Sequence, residues 1–209
     1  MFSINNNCIY VYKINGTRKR VSRFWGLCVK FKGKNSVINI YEPCKFKFQV
    51  GANRSHIIIN GDNNVINLKS DNFFKSLRIR AVGSNNIIDI GHNIIMTSGV
   101  DIDFANACGL NFKIGDNCLF GQNIKFMLGD YHTLFSTITR EQVNLPKTGI
   151  EIGDNVWLAR NVTFLKDTKI SSNSIVGYGS LVTKKFDDSN VIIAGVPAKI
   201  VKRHVYWQT

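Results

Sequence analysis

An inward-type apolar residue recurs every six positions in two stretches of the chain. One frame runs Ile152, Leu158, Phe164, Ile170, Val176 and Val182; the other runs Ile90, Met96, Ile102, Cys108, Ile114, Phe120 and Phe126. A helix face recurs about every 3.6 residues and a half-buried strand every two, so a period of six belongs to neither. It fits a short flat strand followed by a corner, one hexad per strand. A single coil of such strands cannot bury its own hydrophobic edge. The pattern therefore predicts a solenoid whose coils stack around one continuous core and pair their backbones along the axis.

The intervening residues agree with this reading. Gly91, Gly109, Gly115, Gly121, Gly153 and Gly177 each follow an inward residue, where glycine is expected to relieve unusual backbone angles at a tight corner. The Asp-Asn pairs 116-117 and 154-155 tolerate left-handed conformations. Four positions after the first five inward residues of the frame that starts at Ile152 stand Val156, Val162, Thr168, Ser174 and Ser180, all small or β-branched. The amino-terminal third carries a weaker relative of the pattern at Gly33 to Ile40, Gly61 to Leu68 and Gly83 to Ile90, each a Gly/Asn corner feeding an alternating strand. We read these as earlier, less regular coils whose asparagines can stack along the axis; the alternative is three unrelated strand-turn units. Residues 1–32 are β-like around Ile9 to Tyr12 and Val29 to Phe31 but show no hexad.

The expected fold class is all-β. At 209 residues with three prolines and no Ser/Pro-rich tract, the chain suits a single domain over 1–209. Its parts are irregular coils over 1–89, regular hexad coils over 90–126 and 152–187, a loop insertion over 127–151 and a carboxyl-terminal extension over 188–209. No apolar run is long enough to span a bilayer and the amino terminus lacks a signal-peptide core, which predicts a cytoplasmic protein without integral membrane association. The five cysteines show no metal-type spacing, and Cys108 and Cys118 fall where a small core hydrophobe belongs. No metal site is expected. The net charge of +13 invites a nucleic-acid or membrane reading, but the basic residues are dispersed, with their sharpest cluster at Arg18-Lys19-Arg20, and no nucleic-acid motif accompanies them. A solvated basic face together with a site for anionic small molecules is the favoured reading, with no nucleic-acid partner.

Between Phe126 and Ile152 the frame is lost and regained across an insertion that holds Gly129-Asp130-Tyr131-His132. Excursions from a solenoid more often serve binding or catalysis than packing. His132 is the only histidine there, and imidazole is suited to take a proton from a hydroxyl near neutral pH. Asp130, two positions away, is a candidate to orient or polarise the ring, although such close sequence neighbours often point apart. On the residues alone, an ordinary exposed loop histidine remains the stronger reading.

The carboxyl-terminal segments supply more. Ile152-Gly-Asp-Asn-Val-Trp157-Leu-Ala159-Arg-Asn-Val-Thr, Val176-Gly-Tyr-Gly-Ser180-Leu-Val-Thr183-Lys184 and Ala194-Gly195-Val-Pro197-Ala-Lys199-Ile-Val-Lys202 resemble the hexapeptide-repeat acyltransferases over residues 114–203. Within that superfamily, the chain is most similar to bacterial polysaccharide and sialic-acid O-acetyltransferases. The resemblance implies a left-handed parallel β-helix with a catalytic loop insertion, a homotrimer with sites between neighbouring helices, and acetyl-CoA as cosubstrate. It implies His132 as general base and Trp157 beside the acetyl group and pantetheine arm. The backbone amide at Ala159 or Arg160 becomes the oxyanion donor. Gly177, Tyr178, Gly179, Thr183 and Lys184 would line the pantetheine and pyrophosphate path, and Lys199 and Lys202 would meet the nucleotide phosphates. Ala159 and Tyr178 stand where the family often has Gly and Ala, and Asp167 and Ser171 replace repeat glycines. The implied reaction is O-acetylation of a bacterial surface glycan, a capsule or lipopolysaccharide sugar or a sialic acid, with an anionic acceptor suiting the basic surface. The alternatives are acetylation of an amino sugar or xenobiotic, and a non-catalytic solenoid that binds glycan or nucleic acid.

Overall fold

The computed structural model describes residues 5–47 and 54–208; residues 1–4 and 48–53 of the irregular segment and Thr209 of the extension lie outside the described residues. The chain forms a parallel β-helix of triangular section. Its first face stacks Cys8–Tyr12, Val37–Tyr41, Val65–Leu68, Ile87–Ile90, Asn111–Ile114, Gly149–Ile152, Lys169–Ile170 and Lys185–Phe186. The second stacks Cys44–Phe46 and Asn72–Phe74, then Trp157–Leu158, Ile175–Val176 and Val191–Gly195. The third stacks Leu27–Phe31, Ser55–Asn60 and Leu77–Val82, then Thr163–Phe164 and Leu181–Val182. Two long strands, Ile95–Asp103 and Leu119–Met127, run through both the second and third faces. They turn the corner at Gly99 and Asn123, whose φ values are 64° and 58°.

Both hexad frames point inward. Ile152, Leu158, Phe164, Ile170, Val176 and Val182 are fully buried, as are Ile90, Met96, Ile102, Phe120 and Phe126. Phe126 lies 4.8 Å from Phe164, stacked, and 5.0 Å from Phe112, edge-on, so the aromatic centre of the core sits under the coil that carries the insertion. Cys118 is buried, and burial pushes its thiol up to about 12.

Cys108 departs from expectation: it is exposed. Asn93 and Asn117 sit 24 residues apart in successive coils, against 18 for Asn155 and Asn173. The longer coil spends its surplus on the turn 104–110, and Cys108 rides on that turn. Because 24 is also a multiple of six, the frame passed through a residue that never enters the core.

Gly109 has the left-handed backbone expected of a corner glycine (φ 69°), whereas other corner glycines act differently. Gly115 and Gly153 have ordinary φ, but a Cβ on Gly115 would collide with Gly153 and Asp154 of the next coil, and one on Gly153 with Ser172. Close approach of neighbouring coils is what excludes a side chain there. Beside Gly115 and Gly153 the left-handed backbone is carried by asparagine, at Asn117 (φ 58°) and Asn155 (φ 52°) as expected, and asparagine carries it also at Asn35, Asn63 and Asn85 in the irregular coils. These asparagines form ladders along the axis, with Asn35 to Asn63 at 3.4 Å and Asn63 to Asn85 at 3.1 Å. A buried row of Ser36, Asn64 and Asn86 bonds backbone of the coils on either side. The three amino-terminal segments are therefore coils of the same solenoid.

Candidate active site

The excursion containing His132 leaves after Met127 and returns at Gly149, where the corner between the third and first faces would otherwise be. Neighbouring coils are 38 residues apart across it. Little of this loop is regular, and side chains tie it down. Asn144 is buried; its Nδ2 donates to the His132 carbonyl (2.7 Å) and to Asp130 Oδ2 (3.0 Å), while its Oδ1 accepts from the Leu134 amide (2.9 Å). Lys166, from the next coil, pairs with Asp130 and also donates to the Asn144 carbonyl at 2.9 Å. The Lys166 ammonium, then the Asn144 amide, hold the Asp130 carboxyl below its usual range against the opposing effect of burial.

Two further anchors fix the ends of the loop. The Tyr131 hydroxyl donates to Asp103 at 2.6 Å, and Asp103 is itself buried and paired with Arg80. Burial and the Asp103 carboxylate push the Tyr131 phenol up. On the return side, Asp167 accepts from the amides of Lys147 (2.8 Å), Thr148 (2.6 Å) and Gly149 (3.2 Å). Burial alone would raise its pKa, and these amides outweigh it, so the carboxyl stays ionised below its usual range. The replacement of a repeat glycine at Asp167 thus has a purpose: it clasps the returning strand.

His132 is exposed in this frame, and its ring has no hydrogen-bond partner among the described residues. Asp130 makes no hydrogen bond to it, because Lys166 and Asn144 occupy the carboxylate. The loop holds the histidine through its backbone.

The other expected site residues stand at different corners of the prism. Trp157 begins its strand on the second face, in register with Leu119 below and Ile175 above, and is 38% exposed. The extension folds back beside it: Trp207 donates Nε1 to the Asn155 carbonyl (2.8 Å), and its ring lies 6.2 Å from that of Trp157. With Tyr206, Asn93, Ile95, Asn117 and Leu119 it borders a groove of about 590 Å³. At the corner between the second and third faces are Ala159, Arg160, Gly177, Tyr178 and Gly179. The Ala159 amide donates to the Val176 carbonyl at 2.9 Å. That bond removes it as an oxyanion donor, a correction imposed by coil-to-coil pairing. The Arg160 amide has no partner among the described residues.

Tyr178 finishes an asparagine ladder. Asn123 donates to Asn161 (2.8 Å), and Asn161 donates to the Tyr178 hydroxyl (2.7 Å), leaving the ring 71% exposed. Gly177 backs onto Ala194 of a hairpin formed by Val191–Gly195 and Ala198–Arg203. Lys199 and Lys202 lie exposed on the outer strand of that hairpin, without a carboxylate partner among the described residues. Thr183 and Lys184 are at the third corner, above the histidine loop, with the Lys184 ammonium 5.4 Å from the Phe186 ring. Among the described residues no group of three or more His, Cys, Asp or Glu converges as a metal site would.

Comparison with known proteins agrees with this fold. The chain superposes on the polysialic-acid-specific acetyltransferase NeuO with a TM-score of 0.80 at 25% identity, covering 98% of this chain and 79% of that one. The chain is similar to this acetyltransferase over nearly its whole length. Its fold class is accordingly the left-handed parallel β-helix. Curated relatives of the chain include polysialic acid O-acetyltransferases from Neisseria meningitidis, 28% identical over 70% of this chain and 86% of that protein, and from Escherichia coli, 30% identical over 56% of this chain. A galactoside O-acetyltransferase of Escherichia coli is 32% identical over 60% of this chain. The matches span only 37% of the Escherichia coli polysialic acid enzyme and 61% of the galactoside enzyme. No protein-family model matches the chain.

Sequence reasoning missed Asn144, Lys166 and the Tyr131–Asp103–Arg80 chain. The one visible signal was Asp167 in a glycine position.

Proposed function

We propose that this protein is an O-acetyltransferase that moves acetyl from acetyl-CoA to a hydroxyl of a bacterial surface glycan, with an anionic sugar such as sialic acid as the favoured acceptor. The observation that carries the reading is the His132 ring, held out from a clamped loop with no hydrogen-bond partner among the described residues. An imidazole so placed can accept the acceptor hydroxyl's proton as the oxygen attacks the thioester carbonyl. The Arg160 amide is free to donate to the oxyanion that forms. Collapse expels the CoA thiolate, and the imidazolium returns the proton to it. Base and both substrates meet in one groove, so no covalent enzyme intermediate is needed. The relatives named for polysialic acid O-acetylation support this choice of acceptor.

The same reading requires more than one chain. His132 and Trp157 occupy different corners, separated by a face that, at about 3.3 Å per residue, is roughly 15 Å wide. The Ala159–Arg160 and Tyr178 corner is the third. These groups meet only if the histidine corner of one copy approaches the second-face corner of another, and we infer a homotrimer, the closed ring that brings each such pair together. We place the enzyme in the cytoplasm, where acetyl-CoA is made. The test is His132→Ala, which should lower turnover by about 10²-fold or more while leaving thermal melting and acetyl-CoA affinity nearly unchanged. Wild-type turnover in this variant sinks the assignment.

A further inference from the structure

The charge that looks dispersed along the sequence is concentrated at one end of the molecule. Residues 5–47 hold ten lysines and arginines against the single acid Glu42, so nine of the thirteen net positive charges belong to the first coils. Glu42 is already taken by Lys13 at 2.6 Å. The strand Arg18–Val21 terminates one sheet of the solenoid and Leu27–Phe31 the other, so residues 18–31 cross the amino-terminal end and close it. That crossing carries Arg18, Lys19, Arg20, Arg23 and Lys30, and no acid. Phe24 turns in to meet Phe46 edge-on at 5.8 Å. Its neighbour Trp25, at the turn, is 65% exposed, and Ile14, at the tip of the preceding hairpin, is 81% exposed.

We propose that this end of the prism is a docking surface for an anionic lipid bilayer, with Ile14 and Trp25 entering the headgroup region and the surrounding cations meeting lipid phosphates and carboxylates. A basic cluster explains attraction to any polyanion, but a tip isoleucine gains nothing from a hydrated polymer. At a bilayer it leaves water, and tryptophan favours the same interfacial depth. The Lys/Arg-rich edge strand also discourages end-to-end pairing of solenoids, which keeps the end open. Along the third face, four strand steps separate this end from the strand that precedes the histidine loop, a rise of about 19 Å at roughly 4.8 Å per step. An end-on molecule would hold that loop above the surface, within reach of a glycan carried on lipid.

The test is cosedimentation of the full chain with phosphatidylcholine vesicles with and without phosphatidylserine. The wild type should pellet with the phosphatidylserine vesicles and stay in solution with phosphatidylcholine alone. Lys19→Gln with Arg23→Gln should weaken binding by about 25-fold, at about fivefold per charge. Ile14→Ser should weaken it by about tenfold with the salt dependence kept. All three positions are exposed, so thermal melting and turnover on a soluble acceptor should not change. A wild type that stays in solution with phosphatidylserine vesicles overturns the proposal. So does binding that soluble polysialic acid abolishes and Ile14→Ser leaves untouched, which would make the end a polyanion site.

Discussion

One turn of the solenoid takes 28 residues between Asn39 and Asn67 and 18 between Asn155 and Asn173, although both turns wrap the same core. The difference lies at the corners. In the 18-residue coils the strands shrink to two residues and small side chains fill the bends, as Thr168, Ser174 and Ser180 do, each buried and bonded to a carbonyl two or three residues back. In the long coils the position just before the first-face strand, where the short coils have Thr168, holds Asn64 and Asn86, whose amides bridge from coil to coil. Asn86 donates to the Ala107 carbonyl at 2.9 Å and accepts from the Leu110 amide at 3.0 Å. A short corner closes its own backbone bonds; a long one leaves groups that a side chain must satisfy. Strict periodicity is therefore one solution to stacking, and buried amides are the other.

This comparison predicts unequal costs at the bend before one face. Asn86→Ala leaves the buried Leu110 amide and the partly buried Ala107 carbonyl unpaired and should destabilise by about 3 kcal/mol, at about 1–3 kcal/mol per orphaned group. Thr168→Val keeps the shape, removes one local bond to Leu165 and should cost about 1 kcal/mol. Chemical denaturation of the two variants decides it; equal costs would mean that the asparagines merely fill space.

The same contrast explains what could be read from the sequence. Hexads exposed the regular coils because each inward residue is set by its position in a constant-length turn. The irregular coils were legible only as Gly/Asn corners feeding alternating strands, since their turn length changes from 28 residues to 22. The slip at Cys108 shows how a 24-residue coil can imitate the hexad. The histidine was legible as the lone imidazole of an insertion, strengthened by the neighbouring family motifs. Its support was not. Asn144 lies 14 residues from Asp130, and Lys166 lies 36 from Asp130 and 22 from Asn144. No local pattern connects side chains at such separations, and only the fold brings them together.

The loop and the coil beneath it offer a second way to sharpen the comparison, because here a buried asparagine serves position instead of stacking. Asn144→Ala frees the His132 carbonyl and one side of Asp130, and should lower turnover about tenfold through misplacement of the base, with little change in the KM for acetyl-CoA. Melting should shift much less than for Asn86→Ala, since the loop lies outside the core. Lys166 holds the Asp130 carboxyl below its usual range in the folded chain, so its contribution to holding the loop is complete above the ordinary carboxylate range and is lost as pH falls through the lowered value. Protease sensitivity of the loop should thus be flat near neutral pH and rise only in acid. A rise near neutral pH would show that Asp130 does not hold it.

The smallest expected effect concerns the carboxyl-terminal hairpin, where regular coils end and unpaired cations begin. Lys199 lies opposite Ala194 and Lys202 opposite Ile192, above the corner of Gly177 and Tyr178. If they meet the phosphates of acetyl-CoA, replacing both with Ala should raise the KM for acetyl-CoA about tenfold and change kcat at saturation much less. Contacts remote from the reacting carbonyl supply binding that is equal in ground and transition states. Added salt should reproduce part of the effect in the wild type, because exposed charges are screened. Should the KM for the glycan rise instead, the lysines face an acidic acceptor, and the cofactor path must run elsewhere. If neither KM moves, they are ordinary surface charge, and the grip on the cofactor phosphates must come from Lys184 at the histidine corner.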